Sequence, residues 1–135
     1  MSKNEIKEVK ELHYIGKIDR DKIGKYADKI VTEDIVLTDE RKKHIYEDHT
    51  KDFEIIMENL DRVALNPSEV MEDLNNKDTL FLIDKIGKNN LNIVLKLNTT
   101  NSKEHPQNSI MTAWIIRNSN LRKLREKNKS IYKSE

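Results

Sequence analysis

An α+β fold is predicted for this 135-residue chain: N-terminal helices packed on a four-stranded antiparallel meander sheet, with a short basic helix near the C-terminus. Apolar residues recur at helical spacing between Thr38 and Asn66, and the spacing changes to alternation after Asn66-Pro67. The alternating segments are joined by short polar turns. Helices and strands that follow one another in blocks, rather than interleaving, make an α+β arrangement.

Residues 1–12 are charged throughout, with Ile6, Val9 and Leu12 at a weak helical spacing. They are expected to be flexible or weakly helical, and one domain then covers 13–135. A chain of this size buries about two-thirds of its unfolded surface, so one core suffices without staples. Residues 13–37 mix short apolar runs with two glycines and read as short strands and turns. Thr38 is expected to cap a helix whose first turn holds Asp39 and Glu40, where carboxylates suit the positive end of the dipole. That helix runs to about His49. Thr50 reads as a second cap, ahead of Phe53, Ile56, Met57 and Leu60, which share one helical face. Asn66-Pro67 ends this helix, because proline disfavours helical geometry in its predecessor.

Strands are expected over 68–74, 80–86, 91–98 and 109–117. Leu91, Ile93, Leu95 and Leu97 alternate with Asn92, Val94, Lys96 and Asn98, the mark of a strand with one buried face. The polar turns at 75–78 and 87–90 are short enough to require antiparallel neighbours. The connection over 99–108 is longer, contains Pro106 and is expected to be the mobile loop. Ser119 reads as the cap of the last helix, before Leu121 and Leu124, and Ser130-Ile131-Tyr132-Lys133 closes the chain.

With no cysteine, disulfides, thiolate metal sites and a cysteine nucleophile are excluded. No secretory h-region opens the chain, and no stretch reaches the roughly 20 apolar residues of a membrane helix. A cytoplasmic protein with no membrane partner is expected. Lysine and arginine number 25 against 24 acidic residues. The cationic excess gathers near the C-terminus, in Arg117, Arg122, Lys123, Arg125, Lys127, Lys129 and Lys133. Such a cluster attracts polyanions, or is simply a solvated helix face.

His44 and His49 are candidates for acid–base chemistry. Five helical residues turn about 140°, so the pair does not share a face as an i, i+4 zinc pair would. Further ligands at suitable spacing are lacking, and neither a metal nor another cofactor is expected. An imidazole titrates near pH 6.5 when unperturbed, so one ring can accept a proton while another donates one. The bland alternative is a satisfied or half-exposed helical residue. Lys96, on the polar face of a central strand, could meet a phosphate or only solvent. On the last strand Thr112 and Trp114 share a face and could supply a hydroxyl and a stacking surface, though Trp114 alone reads more simply as core. Tyr132 could stack, donate a hydrogen bond or anchor the chain end.

The order of these pieces carries a family likeness. Gly16-Lys17-Ile18-Asp19 precedes the run from Thr32 to Arg41, then His44-Ile45 and His49. A helix ending in Asn66-Pro67 follows, then the alternating strands, Asn108-Ser109-Ile110-Met111-Thr112-Ala113-Trp114, and Ile131-Tyr132-Lys133. Over residues 13–134 this resembles the phage and mobile-element branch of the barnase–EndoU–colicin–RelE-like nucleases. The resemblance implies an active site over a four-stranded antiparallel sheet, with paired histidines at His44 and His49. It further implies a basic strand residue at Lys96, small hydroxyl residues at Ser109 and Thr112, and a C-terminal tyrosine at Tyr132. Arg41, Ser109, Trp114, Arg117, Arg122 and Arg125 are the expected substrate contacts. The net charge of +1 departs from the strongly basic character of ribosome-binding RelE-type toxins.

The activity so implied is metal-independent endoribonuclease action on RNA. One imidazole would deprotonate the ribose 2′-hydroxyl and the other would protonate the leaving 5′-oxygen, leaving a 2′,3′-cyclic phosphate. Lys96 or Arg41 would stabilise the developing charge. A cognate inhibitor or a host protein is a further implied partner. The alternative is a non-enzymatic accessory protein of a mobile element, a degenerate nuclease fold that contacts nucleic acid or a host protein, since fold does not fix function.

Overall fold

Gly87, at φ 58, begins the tight turn between strands β4 (Thr79–Ile86) and β5 (Asn89–Lys96). Glycine is the residue that a two-residue hairpin turn needs where φ is positive. The pairing runs unbroken from Ile86↔Asn89 to Thr79↔Lys96. β5 pairs antiparallel with β6 (Asn108–Ile116), and β4 with β3 (Glu69–Glu72). The computed structural model describes residues 11–100 and 106–134. The helix expected weakly over 1–12 and the centre of the 99–108 loop lie outside the described residues, except that Leu12 opens a strand.

The expectation of a four-stranded antiparallel meander is overturned. The sheet has seven strands, in the order β1-β2-β6-β5-β4-β3-β7, and it is mixed. β1 (Leu12–Lys17) pairs antiparallel with β2 (Asp34–Thr38), and β2 lies parallel to β6. β7 (Lys129–Lys133) adds to the far edge beside β3. These three strands are short, and β2 and β7 each take a partner from far along the chain. Their own residues carry no sign of where they dock.

Thr38 caps helix α1 (Asp39–Asp48), its hydroxyl accepting the Arg41 N–H at 3.2 Å. Thr50 does not cap the next helix. It starts a 3₁₀ turn, Thr50–Asp52, and its hydroxyl donates back to the Tyr46 carbonyl at 2.7 Å. Helix α2 (Phe53–Leu65) then ends at Asn66. Helix α3 (Asn118–Lys127) follows Arg117, not Ser119, and Arg117 makes no side-chain cap bond.

Each face of the sheet carries a core. α2 buries Ile56, Leu60, Val63 and Ala64 against the larger one, which takes Leu80, Leu82, Leu91, Ile93, Leu95, Ile110 and Ala113 from the strands. The smaller one, on the opposite face, joins Met71, Phe81, Ile83 and Ile116 to Leu121 of α3, with Trp114 and Leu124 at its margin. β2 pairs with β6 at two positions only, and α1 then runs beside β6 in the place that β2 leaves. No helix among the described residues is long and apolar enough to cross a membrane.

Between Gly24–Asp28 and β3, the buried Tyr26 hydroxyl donates to Glu72 at 2.6 Å, and Lys25 lies 3.1 Å from the same carboxylate. Burial, then the Glu72 hydrogen bond, pushes the phenol well above its ordinary value of 10.0. The Tyr26 bond, then Lys25, holds Glu72 below its ordinary 4.5 against the opposing effect of burial. A depressed carboxylate stabilises the fold above its unfolded pKa and loses that effect as pH falls through the folded one. A raised phenol does the reverse, its contribution fading as pH rises past the unfolded value. Tyr26→Phe is therefore expected to flatten thermal stability against pH on both limbs, below 4.5 and above 10.0. Circular-dichroism melts across pH measure it, and unchanged limbs would rule the pair out as their source.

Candidate nucleic-acid interface

Ordinary alternation along 109–117 would put Ser109 and Thr112 on opposite faces. The structure joins them through a bulge. Val94 pairs with Thr112 but Leu95 pairs with Ile110, so Met111 is the extra residue. One inserted residue reverses the facing of every side chain beyond it. Ile110 and Ala113 consequently both reach the larger core, while Ser109, Met111, Thr112 and Trp114 share the opposite face. The register places Lys96 beside Ser109, Val94 beside Thr112 and Asn92 beside Trp114 on that face.

A cleft of about 660 Å³ opens there, lined by Arg41 from α1, Lys77 and Thr79 at the start of β4, Lys96 and Asn98 at the end of β5, and Ser109 of β6 among others. Among the described residues that line it, three are cationic and none is a carboxylate. The exposed Lys96 ammonium donates to the Lys77 carbonyl at 2.6 Å, which holds it across the cleft mouth. Asn98 is buried; its Oδ1 accepts from Thr100 N at 3.3 Å, while its Nδ2 has no partner among the described residues. Farther along the same face the half-buried Trp114 stacks with His49, ring centroids 6.3 Å apart and planes at 24°. No family model, curated protein or solved structure matches this chain. What the surface can do follows from its own side chains.

The residues singled out in the sequence divide. Arg41, Lys96 and Ser109 line the cleft, and Thr112, Trp114 and His49 continue the same surface. His44 is exposed on α1 and does not line the cleft. Tyr132 pairs with Val70 and packs on the larger core, with the Lys22 ammonium 5.0 Å from its ring centre. It therefore sits on the wrong face to act with Lys96. Arg117 and Arg122 are exposed on α3 or its cap, away from the cleft lining. Arg125 is committed elsewhere: it grips Glu69 with two hydrogen bonds of 2.8 Å, and that pairing raises its pKa.

The cation Lys77 and the amides Asn98 and Asn92 were not anticipated. The alternation showed Asn92 and Asn98 on a polar face, but polar residues there read as solvated, whereas both are buried. Neither amide group of Asn92 is paired among the described residues, and a buried unpaired polar group costs about 1–3 kcal/mol. Away from the cleft, Glu11, His13 and Asp39 bring one ligand atom each within 4.8 Å. The β1–β2 pairing and the start of α1 create this group, and a His13–Asp39 hydrogen bond of 2.6 Å accounts for it.

Arg125 and Arg122 separate structure from binding within the basic helix. The Glu69 side chain is 6% exposed, whereas that of Arg125 is 39% exposed and partly screened by water. Arg125→Ala is expected to lower stability by about 1–3 kcal/mol, because it leaves a buried carboxylate without its donor. Arg122→Ala, at an exposed site, is expected to stay within about 0.5 kcal/mol. Urea unfolding distinguishes them, and equal effects would remove the Glu69 pair as the cause.

Proposed function

We propose that this chain binds single-stranded RNA across the face formed by β4, β5 and β6. The observation that carries the reading is the cleft to which Arg41, Lys77 and Lys96 contribute, with no carboxylate among its described lining residues, on the same sheet face as the Trp114–His49 stack. Cations that neutralise phosphates, next to an aromatic surface for a base, are the two parts single-strand binding requires. Lys96 and Arg41 would hold a phosphate, Ser109 and Thr112 would offer hydroxyls to the sugar and phosphate, and Trp114 would stack on a neighbouring base.

A second reading, cleavage of the bound strand, is favoured by His49, whose imidazole belongs to this same surface. With His44 outside the cleft, His49 is the one imidazole of the candidate pair on this surface among the described residues. Binding without cleavage is the simpler account, and it agrees with the accessory-protein alternative.

The chain has one tryptophan, so its fluorescence reports on Trp114 directly. Titration with single-stranded RNA is expected to quench it, and Lys96→Ala with Arg41→Ala is expected to weaken binding about tenfold or more. The slope of log affinity against log salt should fall by about 0.7 for each phosphate that is no longer neutralised. If no RNA quenches the indole or binds at low salt, the reading fails. Cleavage that survives His49→Ala would remove the second reading.

A further inference from the structure

Tyr14 is 60% exposed on the outer strand β1, a large aromatic side chain open to solvent at the sheet edge. Ile35 and Leu37 of β2 enter the larger core, so Val36 between them faces the other side of the sheet, the side that carries the cleft. Tyr14 pairs with Val36 and shares that face. The register then continues from strand to strand: Val36 lies beside Ser109, Ser109 beside Lys96, and Lys96 beside Thr79. Ser109, Lys96 and Thr79 all line the cationic cleft. One cross-strand row therefore joins the exposed tyrosine to the cleft.

The cleft lies between two aromatic residues on one face. Tyr14 stands three strand spacings from Lys96 in the row, about 14 Å. In the other direction Asn92, the residue opposite Trp114, precedes Lys96 by four positions along β5, again about 14 Å. The surroundings of Tyr14 differ from those of the cleft. Its hydroxyl donates to Asp34 Oδ1 at 3.3 Å, and the Lys17 ammonium donates to the same oxygen at 3.2 Å. The two charges offset one another, so the place suits an uncharged base better than a phosphate. The hydroxyl bond also restrains the ring before a ligand arrives, which lowers the ordering cost of binding. Leu12, two residues earlier on the same face and also exposed, widens the apolar surface.

Resting on the RNA-binding reading above, we propose that Tyr14 is a second base-stacking subsite for the same single strand, which runs from Trp114 through the cleft to the β1 edge. The cations between the two aromatics hold the backbone, and each aromatic takes a base by its π-face. The ring is already exposed, so no part of the protein has to move. Every base has a π-face, and the subsite therefore sets the length of strand bound and not its sequence.

Oligouridylates of about four to twelve nucleotides, within the usual span of single-strand sites, are titrated into the full chain in competition with a labelled strand. Tyr14→Ala and Tyr14→Thr, the second a good strand former, are expected to bind the longest strands about fivefold or more weakly, the scale of one stacked base. Tyr14→Phe, which keeps the ring, should stay within about twofold of the wild type. On the shortest strands all variants should match the wild type. The slope of log affinity against log salt should not change, because no phosphate contact is lost. Unchanged affinity for long strands in both folded ring-less variants, or a loss equal at every length, overturns the subsite alone. Self-association of the wild type that these variants abolish, with RNA affinity intact, assigns the surface to a second copy of the chain and likewise overturns it. Absence of binding to any oligonucleotide at low salt overturns the RNA-binding reading and the subsite with it.

Discussion

β2 and β6 meet over two paired positions, Ile35 with Asn108 and Val36 with Ser109, too short a ladder to hold two strands. The Asn108 side chain supplies what the ladder lacks. Fully buried, its Nδ2 donates to the carbonyls of Thr32 at 2.9 Å and Asp34 at 3.1 Å, and its Oδ1 accepts from Asn98 N at 2.8 Å. The Asn98 carbonyl in turn takes the Val31 N–H at 3.0 Å. One amide thus satisfies groups on both sides of the seam, any of which would cost about 1–3 kcal/mol if left buried and unpaired. Ser109 and Asn98 line the cleft, and α1, which brings Arg41, begins where β2 ends. Both walls of the cleft are therefore positioned from this residue.

The electrostatics follow from how the acids are used. With 25 basic and 24 acidic residues, the chain as a whole exerts little pull on a polyanion. Several carboxylates are engaged elsewhere: Glu69 by Arg125, Glu72 by Lys25, Asp84 by Arg62 and Asp34 by Lys17. None of these four lines the cleft, where three cations stand together. Local arrangement within about 10 Å, not net charge, sets the potential a ligand meets. The basic run of α3, the most conspicuous charge feature of the sequence, contributes an internal tie at Arg125 and otherwise largely exposed side chains.

Periodicity made part of the fold legible. The single-faced pattern of Phe53, Ile56, Met57 and Leu60 marked α2, and the alternation of 91–97 marked β5, because each pattern repeats over enough residues to fix a face. Thr38 was recognisable as a cap from local chemistry alone. β1, β2 and β7 were not placed because a run such as Ile35-Val36-Leu37 shows that a segment is buried without showing beside what. The site was partly legible for the same reason. Lys96, Arg41, Ser109, Thr112 and Trp114 could each be named, but a single bulge at Met111 decides that Ser109 and Thr112 face the same way. His44 and Tyr132 were drawn in by residue type, and the geometry separates them. Asn92 and Lys77 needed the register of neighbouring strands before their surroundings could be seen.

The parallel seam also orders the folding of the chain. Strands β3 to β6 pair with sequence neighbours, so each hairpin closes a short loop at little entropic cost. The β1–β2 ribbon must wait for β6, since Ile35 finds its partner only at Asn108. During synthesis the first two strands and α1 therefore emerge long before the strand they dock against. Contacts so distant along the chain slow folding and prolong exposure of apolar strands. Until β6 arrives, Ile35 and Leu37 have no sheet to enter, and the newly made N-terminal third is the part of this protein most in need of shelter from aggregation.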